Sequence, residues 1–275
     1  MKKEKQDFTA KKRPSSRKKQ FVDIFSHRFL ELFKISLLQA VFAMPLLVSV
    51  VLFYVFVKNA GDRNALFTVF LIQSASLLVT IPVNFIGMTG SLYCAKKLIY
   101  AEGEFASSSF FIGLREEWKR GMLFGFIEGL SAALTVIGLF AFIVIWSELS
   151  PSVTGLGIAV VIIQFVVVTM IMYHCMGQIV VYQNTLRNIF KNSFIIAMIR
   201  FPINLLFLVI HPGIFIALVC IMEITMYVGV VLFIFLSMVS YLIWMLNLIA
   251  AFDKYINKEN YPDFYKKGLY IENQN

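Results

Sequence analysis

The stretch KKLIYAEGEFASSSFFIGLREEWKR, residues 96–120, carries five basic residues, Lys96, Lys97, Arg115, Lys119 and Arg120, and separates two long apolar regions. Before it, Ala65 to Ala95 contains no charge; after it, Gly121 to Trp146 contains one acid, Glu128. About 20 apolar residues in helix cross a hydrocarbon core about 30 Å thick, so each flanking run is long enough to span a membrane. Read as a cytoplasmic segment, residues 96–120 orient both spans and, through them, the rest of the chain.

The composition agrees with that reading. Of 275 residues 59% are hydrophobic, 28 are Phe and only 15% are charged, which lies outside the range of soluble globular domains. The formal charge of +9 comes from basic residues placed beside apolar runs, so the expected partner is a bilayer with anionic lipids. Nucleic acid is not expected, because no aromatic interleaving or nucleic-acid-binding signature accompanies the charge. Cys94, Cys175 and Cys220 are isolated within apolar segments and show no metal-ligand spacing, which points to packing.

Outward from the central stretch, residues 1–20 hold nine Lys or Arg and are read as a disordered basic tail. Val22, Phe25, Phe29, Leu32 and Phe33 recur at helical spacing opposite Asp23, His27 and Glu31, the pattern of an interfacial helix. Ile35 to Val57 is charge-free and forms span one; Asn59, Gly61 and Asp62 mark a tight turn into span two, which Pro82 is expected to kink. Span three runs from Gly121 to Trp146 and span four between Pro151 and Tyr182. Span five starts near Phe201, turns between His211 and Glu223, and gives way to span six, Ile224 to Phe252. The domain organisation is thus a tail (1–20), a six-helix transmembrane domain (21–252) and a polar cytoplasmic tail (253–275).

Basic residues divide unevenly between the two sides. Eleven lie up to Lys34, five in 96–120, three in 187–200 and four after Phe252, against two, Lys58 and Arg63, in the first opposite turn. The positive-inside rule then gives an all-α polytopic bundle of six helices in three hairpins with both termini cytoplasmic. Each hairpin is preceded by an aromatic residue and a lysine, Phe33-Lys34, Trp118-Lys119 and Phe190-Lys191, a weak internal repeat or a shared interfacial belt.

Chemistry-bearing residues are few. Glu128 is an acid well inside span three, and an ionisable group in lipid is a functional candidate because embedding it is costly. His174 and Gln178 lie in span four, and His174, eight residues before Tyr182, sits at the depth of Glu128, eight past Arg120, so a contact between the two is expected. Phe111, Leu114, Trp118 and Lys119 form an amphipathic cytoplasmic segment suited to docking a partner or to the lipid interface. No nucleophile has a base at useful spacing, no glycine-rich loop opens a helix, and the histidines are scattered, so neither enzyme activity nor a cofactor is expected.

Leu92-Tyr93-Cys94-Ala95-Lys96-Lys97-Leu98, followed by Phe110-Phe111-Ile112-Gly113-Leu114-Arg115-Glu116-Glu117-Trp118-Lys119-Arg120, resembles the YesL-like family of bacterial membrane proteins. Phe190-Lys191-Asn192-Ser193 is similar to that family's pattern before span five. Phe252-Asp253-Lys254-Tyr255, Tyr261-Pro262 and Lys267-Gly268-Leu269 are similar to its C-terminal ending and are the most specific match. Ile35-Ser36-Leu37 stands where an Asn-Leu-Leu start is expected from that family, so the resemblance implies a longer, divergent branch. The resemblance implies a helical bundle in a bacterial plasma membrane. The family's function is not known, and its genomic company implies a role beside a carbohydrate transport complex, as a non-catalytic accessory protein. The alternative is a small secondary transporter or channel using Glu128 and His174.

Overall fold

A computed structural model describes residues 13–102, 106–145, 150–208 and 223–270. Those residues are helical, without strands, and form a bundle of α1 (Arg17–Asn59), α2 (Arg63–Ile99), α3 (Ala106–Phe140), α4 (Pro151–Val181), α5 (Leu186–Ile199), α6 (Phe201–Leu208) and α7 (Glu223–Phe252). Five helical stretches are long and apolar enough to cross a membrane, and the α5–α6 pair, bent by 94°, adds a sixth if it is one broken span. The side-chain pattern is that of a protein in lipid. Leu156, Val41 and Val79 are 69, 68 and 65% exposed, whereas Gln39, His174 and Gln178 are fully buried.

The helix ends follow from local chemistry. Ser16 Oγ accepts the Lys19 amide at the start of α1, and Asp62 Oδ1 accepts the Ala65 amide at 2.7 Å at the start of α2. Both satisfy donors that a helix N-terminus leaves unpaired. Three residues, 60–62, therefore suffice to reverse the chain between α1 and α2, as the Asn-Gly-Asp signals imply. Arg28 leaves helical geometry (φ −126°, ψ 20°) and divides α1 into a short leading piece and a long span.

Several expectations are corrected. The tail expected over 1–20 does not reach residue 20, because α1 begins at Arg17 and Gln20 is buried; residues 1–12 lie outside the described residues. The segment around Phe111 to Trp118 is not a separate interfacial piece, because α3 runs unbroken from Ala106. Pro82, where a kink is expected, lies inside α2. The boundary expected between His211 and Glu223 falls at residues 209–222, outside the described residues, as does Cys220. Cys94 and Cys175 are buried within the apolar core and form no disulfide among the described residues.

The centre of the bundle is α2, which packs on α1, α3, α4 and α7, and most extensively on α3. Gly121, Gly125 and Gly129 recur every four residues on α3 and face α2. A Cβ at Gly121 would lie 2.5 Å from Thr89 Cγ2, one at Gly125 2.7 Å from Pro82 Cα, and one at Gly129 2.8 Å from the Leu77 carbonyl. Glycine at these positions is what lets the two backbones touch, and in lipid such close packing drives helix association. Across the interface Gly90 does the same for the Phe110 carbonyl, at 2.8 Å.

At the end of the bundle that gathers both ends of the described chain, residues 253–270 of the polar C-terminal tail are folded against it. Asp253 accepts from Arg17 Nη2 at 2.8 Å, Asn257 Nδ2 at 2.9 Å and the Lys266 amide at 3.1 Å. Arg17 Nη1 also reaches the Lys267 carbonyl, and the Tyr270 amide donates to the Pro14 carbonyl at 3.1 Å. Gly268, at φ +83°, brings its backbone against the Ile99 carbonyl in a left-handed conformation that a side chain would strain. Glu102 pairs with Lys267 at 2.7 Å and Lys97 at 3.2 Å; its partial burial works the other way, but these two lysines hold its carboxyl below the usual range. Residues 253–270 are therefore a cap on the bundle, and only 271–275 lie outside the described residues.

Replacing Gly125 by Leu should force α2 and α3 apart and cost at least about 1–3 kcal/mol, the usual range for overpacking. Gly155→Leu, on α4 with open space around it, should be nearly neutral. Unfolding in mixed detergent micelles measures both, and equal stability of the two variants would refute the close α2–α3 contact.

Candidate functional site

Glu128 points from α3 into the bundle and is 4% exposed. Its Oε1 lies 2.5 Å from Thr169 Oγ1 on α4, and its Oε2 has no hydrogen-bond partner among the described residues. One hydroxyl bond between membrane helices is worth roughly 0.6 kcal/mol, about 1.7 at most. Embedding an acidic side chain at mid-membrane costs about 3 kcal/mol, so this bond offsets only part of it.

His174 does not meet Glu128. It packs against Trp244 of α7 with ring centroids 5.6 Å apart, and Asn204 of α6 stands beside it. Neither ring nitrogen has a hydrogen-bond partner of good geometry among the described residues. The expected pairing fails because Arg120 and Tyr182, from which the two depths are counted, need not lie at one level. The actual register of α3 against α4 is set by Thr169 on Glu128, by Gln164 Nε2 donating to Ser131 Oγ at 2.8 Å, and by Val161 against Gly138. His174 is five residues from Thr169, roughly 7.5 Å further along the helix.

Gln178, one turn beyond His174, joins helices through its Nε2, while its Oε1 is buried without a hydrogen-bond partner among the described residues. Its Nε2 donates to Ser193 Oγ at 2.7 Å and to the Ile189 carbonyl at 3.3 Å, tying α4 to the buried face of α5. Beside it Lys96 Nζ donates to the Val180 carbonyl at 2.7 Å, satisfying the last turn of α4 and placing a cation where the helix dipole favours one.

Among the docking candidates, Phe111 is 56% and Trp118 39% exposed, and Lys119 lies 5.7 Å from the Trp118 ring centroid. Leu114 is partly buried and packs against the core. Lys119 also edges a shallow groove of about 550 Å³ between α2 and α3, lined otherwise by apolar side chains including Pro82 and Phe126.

The sequence reading missed the polar group that joins three helices. Gln39 Nε2 on α1 donates to Asn84 Oδ1 at 2.9 Å, and Ser91 Oγ donates to Gln39 Oε1 at 3.0 Å, with Tyr241 of α7 at 3.5 Å. The signal was present, since Gln39 and Asn84 are amides inside charge-free spans. Polar side chains in such spans face other helices, where an unmet group would be costly. No protein-family profile, curated protein or solved structure matches this chain.

Cysteines placed together at positions 128 and 169 should form a disulfide or cross-link readily, and cysteines at 128 and 174 should not. Gel mobility under oxidising conditions reports both, and cross-linking of the second pair alone would overturn this register of α3 against α4.

Proposed function

We propose that the protein is a non-catalytic accessory subunit of a membrane transport system, a longer and divergent relative of the YesL-like proteins, with both termini in the cytoplasm of a bacterial cell. Carbohydrate uptake is the system the resemblance favours. The observation that carries the accessory reading is how the buried polar side chains are used. Gln39, Asn84, Ser91, Gln164, Ser131, Gln178 and Ser193 bond to one another across helix interfaces. Two grooves among the described residues lie elsewhere, and neither includes Glu128 or His174. A carrier needs a polar site reachable from both sides, whereas a subunit needs a docking face. Exposed Phe111 and Trp118, at the end of the bundle that holds the folded cap, offer apolar anchors for such a contact.

One observation favours a transporter instead. Glu128 Oε2 and both His174 nitrogens are buried without hydrogen bonds among the described residues, and such groups in lipid are expensive to keep. Purification in mild detergent with mass spectrometry, alongside reconstitution into sealed vesicles, separates the two readings. The accessory reading expects subunits of a transport complex to accompany the protein, with Phe111→Ala and Trp118→Ala weakening that association several-fold, and no flux from the protein alone. Proton or sugar flux by the protein alone, abolished by Glu128→Gln, would replace it with the transporter.

A further inference from the structure

The chain turns through 94° between α5 and α6, with Arg200 at the corner. Against the inside of that turn, the last residues of α7 and the π-helical turn Asp253–Asn257 close a groove of about 380 Å³. Pro202, Ile203, Ala250 and Ala251 make its apolar floor, and Arg200, Lys254 and Tyr255 stand at its head. The Arg200 guanidinium is held in place, its Nη1 on the Asn247 carbonyl at 2.9 Å and its Nη2 on Asn247 Oδ1 at 2.8 Å. Lys254 is exposed, with its ammonium 5.0 Å from the Tyr255 ring centroid.

These two cations have no counter-charge among the lining residues. Asp253, adjacent in sequence, is already bonded to Arg17, Asn257 and the Lys266 amide. Depth is fixed by the bend itself. Helix α5 is amphipathic, with Ile189, Ser193 and Ile196 buried and Phe190, Phe194 and Ile199 exposed, and α6 is apolar. Such a junction marks the boundary between headgroups and hydrocarbon. The cations therefore lie at headgroup level and the floor at acyl-chain level.

We propose that this groove binds one anionic glycerophospholipid, with its phosphate on Arg200 and Lys254 and an acyl chain along Pro202, Ile203 and Ala250. The site goes beyond the accessory reading and does not depend on it. A free phosphate would leave the apolar floor uncovered, and a zwitterionic lipid would bring its own cation toward Lys254.

Native mass spectrometry of the delipidated full chain, titrated with phosphatidylglycerol or phosphatidylcholine, tests the site. Phosphatidylglycerol should bind in preference, Lys254→Gln should weaken it about fivefold, the effect of one basic residue near a lipid phosphate, and phosphatidylcholine binding should not change. Lys18→Gln, an exposed cation at the same end of the bundle, should leave phosphatidylglycerol binding as it was. Because Arg200 also anchors α7, the test rests on Lys254. The proposal is overturned if Lys254→Gln binds phosphatidylglycerol as tightly as the unaltered protein, or if the two lipids bind equally. It is also overturned if glycerol phosphate displaces the lipid at equal concentration, which would make the site one for a free phosphate.

Discussion

The bundle depends on how closely the backbones of α2 and α3 approach. Gly121, Gly125 and Gly129 present no side chain to Thr89, Pro82 and Leu77, so the two helices make contact along their length. In lipid there is no hydrophobic gain from bringing apolar helices together, and dispersion across such an interface has to do much of the work. Since α2 also touches α1, α4 and α7, its placement by α3 positions the remaining spans. Gln39 on Asn84 and Ser91, and Glu128 on Thr169, then pin neighbouring helices in register.

A second constraint closes one end of the bundle. Arg17 and Asp253 are mostly buried and are paired at 2.8 Å, and breaking such a pair leaves an unmatched charge. Around them Gln20, Asn257, Tyr182 and Gly268 join the start of α1, the end of α4 and residues 253–270. The same end holds the loop after α2 through Lys97, Glu102 and Lys267. Both ends of the described chain are thereby held at one end of the bundle.

The sequence disclosed the spans more readily than their contacts. Charge-free runs such as Ala65 to Ala95 identify a membrane helix because lipid excludes charge, a property each residue carries by itself. Pairing is a property of two segments. Nothing local in Asp253-Lys254-Tyr255 indicates that the carboxylate is claimed by Arg17, 236 residues away, so a folded cap reads as a polar tail. The glycines of α3 form a legible small-residue stripe, but which helix they face is not written in α3 itself. Glu128 and His174 both lie in long apolar helices, but Glu128 bonds to Thr169 and not to His174, since helix ends in sequence do not fix relative depth. The groove at Arg200 needed the bend, which hydropathy cannot show.

The proposed topology has the packed helices cross an even number of times, with the cap and the loop after α2 on the cytoplasmic side. Single cysteines at Gly61, Ser107, Pro151 and Tyr270, in a background without Cys94, Cys175 and Cys220, test it in intact cells with a membrane-impermeant thiol reagent. Labelling at 61 and 151 but at neither 107 nor 270 is the result predicted. Labelling at 107 or 270 in unbroken cells would contradict the account.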